Sequence, residues 1–238
     1  MTESSPNIGK EILTNPQSND VLIAGVSAFN SVFTRDKYQH IRTIAQWMRR
    51  HTRHIAFMYP DEPEQANLVA LGVTDPTEIQ KKIRNGFRGI MKQGKKVLED
   101  LSVDPEKGIL IWEKFREHPL YRNTYNDLQD LYTQNPQFTE DVHRTVEEVL
   151  KSKFQSPHFK DTNTATEHSL QIAKDFLLGE LAFIVNAANI LGRSRSAYVY
   201  HQEMPVLRKL IAGQYAGFTP PGNTGCIVVS EKREETEK

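Results

Sequence analysis

The feature that most restricts the fold is a short apolar run near the start of the sequence. Residues 21–26 read Val-Leu-Ile-Ala-Gly-Val, without a polar side chain. A continuous run of this length, rich in β-branched residues, is typical of a strand buried on both faces of a parallel sheet. Because parallel strands are joined by crossovers that are usually helical, the run predicts an α/β fold. Ser27 follows at the end of this predicted strand.

Helical and strand patterns alternate along the rest of the chain. Apolar residues at helical spacing over 38–48 and a strand pattern over 54–59 complete a β-α-β unit. Further helices are predicted at 77–101, at 119–153 as two helices with the second beginning near Pro136, at 165–191 and at 205–212. Further strands are predicted at 108–112, 196–201 and 225–230. This order predicts a single Rossmann-like domain at residues 19–230, with a mainly parallel sheet flanked by helices.

The two ends of the chain differ from this central region. Residues 1–18 are polar and carry no apolar core flanked by positive charge, so we expect a flexible N-terminus without a signal peptide. Residues 231–238 are nearly all charged and are expected to form a disordered tail. The longest apolar stretch, at 176–191, is interrupted by polar residues and is too short to cross a bilayer. We therefore expect a cytoplasmic protein without a membrane partner.

Composition limits the kinds of site that the domain can carry. Thirty Lys+Arg balance thirty Asp+Glu, so only a local patch could hold a polyanion. The single cysteine, Cys226, excludes an internal disulfide and a cysteine-rich metal site. The histidines, including His51 and His54, do not form a metal-ligand pattern with nearby carboxylates. No metal and no cofactor is therefore predicted.

Ser27 is the first candidate for chemistry, because ligands of open α/β sheets bind outside the carboxyl ends of the strands. It stands in the sequence Gly25-Val-Ser27-Ala-Phe-Asn30-Ser. Gly25 permits a close approach, and the Asn30 amide could orient a substrate carbonyl or ribose. The alternative is a serine that caps a helix or forms part of a turn. The hydrolase pattern Gly-x-Ser-x-Gly is not met, since Phe29 occupies the second glycine position.

Glu180 is the second candidate, because it lies inside the apolar segment at 176–185. A carboxylate enclosed in this way is desolvated unless a partner satisfies it, and such groups are enriched at functional sites. Gly179 beside it would let a ligand or another backbone come close. The alternative is a structural carboxylate that pairs with an arginine or accepts hydrogen bonds from backbone amides.

The helix predicted at 77–101 has one basic face. At about 100° per residue, one side of this helix carries seven basic residues, here named the basic ridge: Lys81, Lys82, Arg84, Arg88, Lys92, Lys95 and Lys96. Apolar residues fall opposite, and the chain from 79 to 98 contains no acidic residue. The ridge extends over about 20 Å, enough to follow several phosphates of a nucleic acid. The alternative is an ordinary solvated face.

In combination, these features resemble the cyclodipeptide synthases. The motif around Ser27 is similar to that family's nucleophile motif, and Glu180 lies in a segment similar to its buried-helix motif. Tyr200 and His201 follow about twenty residues later, at the family's spacing, and the basic helix is a further family feature. The resemblance covers residues from about 20 to 230. Asn30, Tyr200 and His201 resemble the subfamily named for these three residue types, and the family's fold resembles the catalytic domain of class I aminoacyl-tRNA synthetases.

The resemblance implies roles for individual residues. Ser27 would be acylated by the first aminoacyl group, and Glu180 would bind the α-ammonium group of that residue. Tyr200 would position substrate and assist proton transfer, with His201 beside it in the substrate site, and Gly25 and Asn30 would shape the acylation site. The first side-chain pocket would be formed by Ile23, Gly25, Ala56, Met58, Phe183 and Tyr198.

The sequence departs from the family at Phe176, where a tyrosine usually stands one helical turn before the buried glutamate. Phe176 is still expected to contact substrate. The missing hydroxyl would leave Glu180 to hold the α-amino group with less help, unless a water molecule or another side chain replaces it.

The implied function is the synthesis of a cyclic dipeptide from two aminoacyl-tRNAs, through an aminoacyl-serine and a dipeptidyl-serine on Ser27. The class I signatures for ATP, His-x-Gly-His and Lys-Met-Ser-Lys-Ser, are absent from the sequence, so the amino acid must arrive already activated. A monomer without an obligate protein partner is expected. Two alternatives stay open. A serine hydrolase of an ester or amide leaves the basic ridge unexplained, and a non-catalytic tRNA-binding module leaves Glu180 unexplained.

Overall fold

A computed structural model describes residues 8–12, 18–27, 37–70, 72–154 and 167–231. Six strands form one sheet: β1 (Ile8–Ile12), β2 (Val21–Gly25), β3 (His54–Tyr59), β4 (Ile109–Ile111), β5 (Ser196–Tyr200) and β6 (Thr224–Glu231). Their order across the sheet is β1-β6-β5-β2-β3-β4. Neighbouring strands from β6 to β4 are parallel, whereas β1 runs antiparallel to β6. The predicted single α/β domain with a mainly parallel sheet is confirmed.

Helices join the strands and cover the sheet. The longer ones are α1 (Lys37–His51), α2 (Asp61–Ala70), α3 (Pro76–Asp100), α6 (Pro119–Gln134), α7 (Pro136–Phe154) and α8 (Glu167–Ile190). The shorter ones are α4 (Pro105–Gly108), α5 (Glu113–Arg116) and α9 (Pro205–Ile211). No helix within the described ranges is long and apolar enough to cross a membrane.

Local sequence accounts for the positions of the central elements. All five residues of β2 are buried, as the apolar run predicts for the middle of a parallel sheet. Helix α3 begins where Asp75 accepts a hydrogen bond from the Thr77 amide at 2.8 Å, with Pro76 at the first helical position. Helix α8 is buried along residues 181–188 and packs against α2, α6 and α7. Its polar residue Asn186 donates to Thr124 Oγ1 at 2.9 Å, which satisfies the buried amide.

The structure differs from the sequence-based expectation at the N-terminus. Residues 8–12 lie in the segment that was expected to be flexible, yet they form β1 and pair with β6 from Ile227 to Glu231. Antiparallel pairing gives these backbone groups hydrogen-bond partners and covers one edge of the parallel sheet. The charged tail predicted to be disordered lies outside the described residues, apart from Glu231 at the end of β6. Helices α2, α4 and α5 were also not predicted.

Candidate active site

Ser27 lies just beyond the end of β2, at the carboxyl edge of the parallel sheet. The sheet ladder continues past the strand, because the Val26 amide donates to the Met58 carbonyl at 2.9 Å. Strand β3 leads directly into α2, which brings Glu64 in the first turn of α2 to the same edge. Ser27 Oγ donates a hydrogen bond to Glu64 Oε1. Glu64 is only 2% exposed, whereas Ser27 is half-buried, so the carboxylate is shielded from water while the hydroxyl is partly accessible.

Glu64 is the functional candidate that sequence analysis missed. In Asp61-Glu-Pro-Glu64 it is one of several acids at the start of a helix, where acids are common for electrostatic reasons alone. One signal was available: the rule that drew attention to the end of β2 applies equally to the residues that follow β3.

A second polar pair joins β5 to α8. The Tyr198 hydroxyl donates to Glu180 Oε1 at 3.1 Å. Burial, and next the charge of Glu180, raises the pKa of the Tyr198 phenol well above its ordinary range. The phenol therefore stays protonated and remains a hydrogen-bond donor to this carboxylate.

Gly25 faces the same tyrosine from β2. A Cβ atom at position 25 would lie 1.9 Å from Tyr198 Oη and 3.3 Å from Tyr200 Cδ2. Such distances are too short for any side chain, so glycine is required for the hydroxyl of Tyr198 to lie here. Gly25 was predicted to permit a close approach, and the group that lies close to it is Tyr198, a side chain of the protein itself.

Tyr200 and His201 lie at the carboxyl end of β5, in line with the other edge residues. The Tyr200 ring stacks on Tyr198 with ring centroids 5.9 Å apart, and the His201 ring lies 4.2 Å from Tyr200. Burial, together with the charge of His40, lowers the pKa of His201 to about 4. The His201 imidazole is therefore neutral near pH 7 and a weak base.

Among the described residues, the members of the side-chain pocket that the resemblance predicts are buried. Its apolar members are packed in the core, each at most 3% exposed: Ile23, Ala56, Met58 and Phe183. Tyr198, the member with a hydroxyl group, is also buried and occupies the space next to Gly25. Asn30 lies outside the described residues.

A cleft of about 540 Å³ opens elsewhere, between α2, α5, α6 and α8. Phe176 is the predicted substrate residue that lines it, with Gly179 one turn further along α8. Aromatic side chains form much of the remaining wall: Trp112, Tyr121 and Tyr125. Tyr121 meets Trp112 edge to face at 5.8 Å and stacks on Tyr125 at 6.2 Å between ring centroids.

Gly179, which lines the cleft, directly precedes Glu180 in the chain, and the Tyr121 hydroxyl lies close to this glycine. A Cβ atom at Gly179 would lie 3.0 Å from Tyr121 Oη, so this hydroxyl rests directly against the helix backbone. The cleft also carries charge, since Arg122 and Glu117 line it and form an ion pair.

The basic ridge lies on the outward side of α3. Six of its residues are exposed and Lys82 is half-buried, while the apolar face of the helix is buried. Two members have acidic partners outside the acid-free stretch: Lys82 pairs with Glu78 at 3.3 Å, and Lys95 pairs with Glu106 at 3.7 Å. Within the described ranges, four members form no such pair: Lys81, Arg84, Arg88 and Lys92. The ridge therefore keeps uncompensated positive charge.

The family model for cyclodipeptide synthase matches residues 11–231. The chain belongs to the cyclodipeptide synthase family. Curated cyclodipeptide synthases are similar to it over most of their length. The cyclo(L-leucyl-L-leucyl) synthase of Staphylococcus haemolyticus is 23% identical over 224 residues, covering 91% of this chain and 90% of that protein. The cyclo(L-leucyl-L-leucyl) synthase of Bacillus subtilis is 20% identical over 210 residues, covering 88% and 82% respectively.

Solved cyclodipeptide synthases have the same fold. The enzyme from Bacillus thermoamylovorans superposes with a TM-score of 0.83 at 20% identity, covering 95% of this chain and 97% of that one. A Mycobacterium tuberculosis protein superposes with a TM-score of 0.76 at 20% identity, covering 97% and 99%, and its structure relates cyclodipeptide synthetases to type I tRNA synthetases. The predicted likeness of the fold to class I synthetases is thereby confirmed.

The cyclodipeptide synthase fold of this chain brings the predicted polar residues together at one edge of the sheet. Ser27, Gly25, Tyr200 and His201 come from the ends of β2 and β5, and Glu180 reaches Tyr198 from α8. The basic ridge is on a separate element, α3. Within the described ranges, no group of three or more histidine, cysteine, aspartate or glutamate side chains is placed to hold a metal ion.

Proposed function

We propose that this chain is a tRNA-dependent cyclodipeptide synthase with Ser27 as its nucleophile. The observation that carries the proposal is the hydrogen bond from Ser27 Oγ to the buried carboxylate of Glu64, at the carboxyl edge of the central strand. A hydroxyl paired in this way is held in place and has a proton acceptor in reach, as covalent catalysis by a serine requires. Membership of the family supplies the class of reaction.

The first step is an acyl transfer. Ser27 Oγ bonds to the carbonyl carbon of the first aminoacyl ester, and the bond from that carbon to the ribose oxygen breaks. The ribose hydroxyl leaves with the proton that Ser27 gave up. Because an aminoacyl ester is already activated, the step requires orientation and charge stabilisation but no ATP.

Two amide bonds then complete the product. The amine of the aminoacyl-serine attacks the ester carbonyl of a second aminoacyl-tRNA, and the second ribose oxygen leaves as a hydroxyl with the proton that the amine gives up. The result is a dipeptidyl-serine. Its free amine attacks the ester carbonyl on Ser27, which closes the six-membered diketopiperazine ring and returns a proton to Ser27 Oγ.

Glu180 is proposed to hold the α-ammonium group of the first residue. Tyr198 already donates to Glu180 Oε1, so this carboxylate has one fixed partner and a defined orientation. Tyr200 and His201 are proposed to position the ester beside Ser27, together with Gly25 and Asn30. The His201 pKa of about 4 assigns its imidazole to hydrogen bonding rather than to proton uptake at neutral pH.

The cleft beside Phe176 is proposed to receive part of the aminoacyl end of a substrate. Its aromatic wall of Trp112, Tyr121 and Tyr125 suits an apolar or aromatic group. The named relatives from Staphylococcus haemolyticus and Bacillus subtilis are cyclo(L-leucyl-L-leucyl) synthases, so leucyl-tRNA is the first substrate to test.

The basic ridge is proposed to contact tRNA. Four of its side chains, Lys81, Arg84, Arg88 and Lys92, keep their positive charge available, as described above. A row of such charges on one helix can follow a phosphate backbone. A hydrolase of small esters would have no use for this surface.

The test is incubation of the purified protein with a set of charged tRNAs, followed by mass spectrometry of products and protein. A cyclic dipeptide supports the proposal, free amino acid alone would indicate a hydrolase, and binding without turnover would indicate a tRNA-binding module. An aminoacyl adduct is expected on wild type and not on Ser27→Ala. Cyclic dipeptide formed by Ser27→Ala at the wild-type rate would remove Ser27 as the nucleophile.

A further inference from the structure

We propose that Glu64 is the general base that takes the proton from Ser27 during acylation and the general acid that gives it to the departing ribose oxygen. This inference rests on the proposed function, because it assigns a role in the reaction at Ser27. It names a proton acceptor for the Ser27 hydroxyl, which sequence analysis did not identify.

The contact between the two side chains has the direction that this role requires. Ser27 Oγ is the donor and Glu64 Oε1 is the acceptor, so the serine proton already points at the carboxylate. A general base has to lie within hydrogen-bond reach of the proton that it removes. Glu64 touches the attacking atom itself and meets this requirement without any rearrangement.

A backbone hydrogen bond, the start of helix α2 and burial together hold Glu64 in this position. Its amide donates to the Pro60 carbonyl at 3.0 Å, which fixes the first turn of α2 directly after β3. The amide groups at the start of a helix carry partial positive charge and favour an anionic side chain there. Burial of Glu64 at 2% exposure keeps water from competing for the serine proton.

Neighbouring titratable groups are less suited to the task. The His201 ring packs against Tyr200, with ring centroids 4.2 Å apart, and its pKa of about 4 gives it no advantage as a base over an ordinary carboxylate, whose pKa is about 4. The Tyr198 phenol stays protonated and donates to Glu180. Among the described side chains, Glu64 is the carboxylate that has a hydrogen bond from Ser27 Oγ.

Each proton that Glu64 takes up during the reaction cycle is released again within that cycle. In acylation, the proton moves from Ser27 Oγ to Glu64 and then to the ribose oxygen, so the carboxylate is regenerated. In the last step, the attacking amine loses a proton to Glu64, the bond from the carbonyl carbon to Ser27 Oγ breaks, and Glu64 returns a proton to Ser27 Oγ. No additional reactant is needed.

The experiment measures single-turnover formation of the aminoacyl adduct on Ser27 by intact-protein mass spectrometry, with excess charged tRNA. Glu64→Gln keeps the shape of the side chain but cannot take a proton, and we expect adduct formation to slow by about 10²- to 10⁴-fold. Glu64→Asp keeps the charge on a shorter side chain, so its rate of adduct formation should lie between the rates of wild type and Glu64→Gln. In Glu64→Ala, added formate should fit the vacated space and raise the rate about tenfold or more.

Asp141→Asn serves as the matched control. Asp141 is a similarly buried carboxylate on α7, held by hydrogen bonds from Lys209 on α9 and from Tyr215 just beyond that helix. Its variant should lose stability, with no effect of formate on the acylation rate. Thermal melting of every variant separates loss of fold from loss of rate.

The inference is overturned if folded Glu64→Gln acylates Ser27 at the wild-type rate, or if formate leaves slow acylation of Glu64→Ala unchanged. If Glu64→Gln and Glu64→Ala do not fold, Glu64→Asp decides: acylation at the wild-type rate by this folded variant would also overturn it. The proposed function is tested separately, by wild type alone. It is contradicted if wild type forms neither the adduct nor the cyclic dipeptide.

Discussion

The hydroxyl of Tyr198 donates a hydrogen bond of 3.1 Å to the carboxylate of Glu180. The same hydroxyl occupies the space that a Cβ atom on Gly25 would require. The Tyr198 phenol on β5 therefore packs against Gly25 of β2 while it hydrogen-bonds to Glu180 of α8. Ser27 lies two residues after Gly25, so this contact also bears on the position of the proposed nucleophile.

Gly25→Ala is predicted to destabilise the protein by about 1–3 kcal/mol or more, because the new methyl group overlaps Tyr198 Oη and the buried ring cannot move freely. Urea unfolding measures the loss. Tyr198→Val in the same protein should remove the overlap, so the double variant should be more stable than the sum of the two single effects predicts. Strict additivity would show that Tyr198 is not what restricts position 25.

Glu180→Gln is predicted to slow aminoacylation of Ser27 by about tenfold to hundredfold, since a hydrogen bond to a charged group contributes about 1.5–3 kcal/mol. The loss of acylation rate should depend on a free α-amino group in the substrate. Wild type is expected to discriminate against N-acetyl-aminoacyl-tRNA, and Glu180→Gln should lose most of that discrimination. Glu167→Gln, an exposed carboxylate at the start of the same helix, is the control. Unaltered discrimination in Glu180→Gln would remove Glu180 from amino-group binding.

Phe176→Tyr is predicted to raise the acylation rate by about twofold to tenfold, because one added hydrogen bond contributes about 0.5–1.5 kcal/mol. Tyr121 lines the same cleft, and its hydroxyl rests against α8 at Gly179, so it is the side chain placed to replace the missing group. Tyr121→Phe should therefore cost more activity in wild type than in Phe176→Tyr. An equal loss in both backgrounds would show that the two hydroxyls act independently.

Replacing Lys81, Arg84 and Arg88 together by alanine is predicted to weaken tRNA binding and its dependence on salt. Each lost phosphate contact should lower the slope of log K against log salt by about 0.7–0.9. Binding of charged tRNA measured over a series of salt concentrations gives the slope. The control replaces three exposed basic residues on other elements, Lys107, Lys114 and Lys151, and should leave the slope nearly unchanged. An unchanged slope in the ridge variant would exclude the ridge from tRNA contact.

Stability is predicted to fall on acidification because of His201. Its pKa is about 4 in the folded protein against an ordinary value of 6.5, so the unfolded chain takes up the proton first. The contribution of neutral His201 to the free energy of unfolding is complete above pH 6.5 and is lost as the pH falls towards 4. Between pH 7.5 and pH 5 the loss should be about 2 kcal/mol. His201→Gln does not titrate, so its unfolding free energy should vary less over this range; an identical pH dependence would contradict the assignment.

The architecture followed from patterns that depend on local sequence. The apolar run of β2 and the two-faced periodicity of α3 are properties of single elements, and their predicted bounds agree with the structure within a few residues. Strand β1 could not be recognised, because Ile8-Gly-Lys-Glu-Ile12 is short, contains glycine and two charges, and forms a strand only by pairing with β6.

The residues of the candidate site that follow strands could be predicted from the sequence. The residues that reach the site only through tertiary packing could not. Ser27 and Tyr200 were identified from strand ends and motif spacing. Glu64 was missed because its position after β3 does not by itself distinguish it from the other acids of the same helical turn, and its burial depends on tertiary packing. The open cleft was missed for a related reason, since its lining comes from α2, α5, α6 and α8 together.

Strand β1 has a consequence for the order in which the protein assembles. Among the described strands it pairs with β6 alone, which comes from the opposite end of the described chain, so its docking requires that nearly all the intervening sequence be in place. Contacts of such long range form late in folding because loop closure is entropically costly. Until then the backbone of β6 is an open edge to which a strand of a neighbouring molecule could add. A nascent or partly unfolded chain is therefore exposed to self-association at β6, and pairing with β1 removes this open edge.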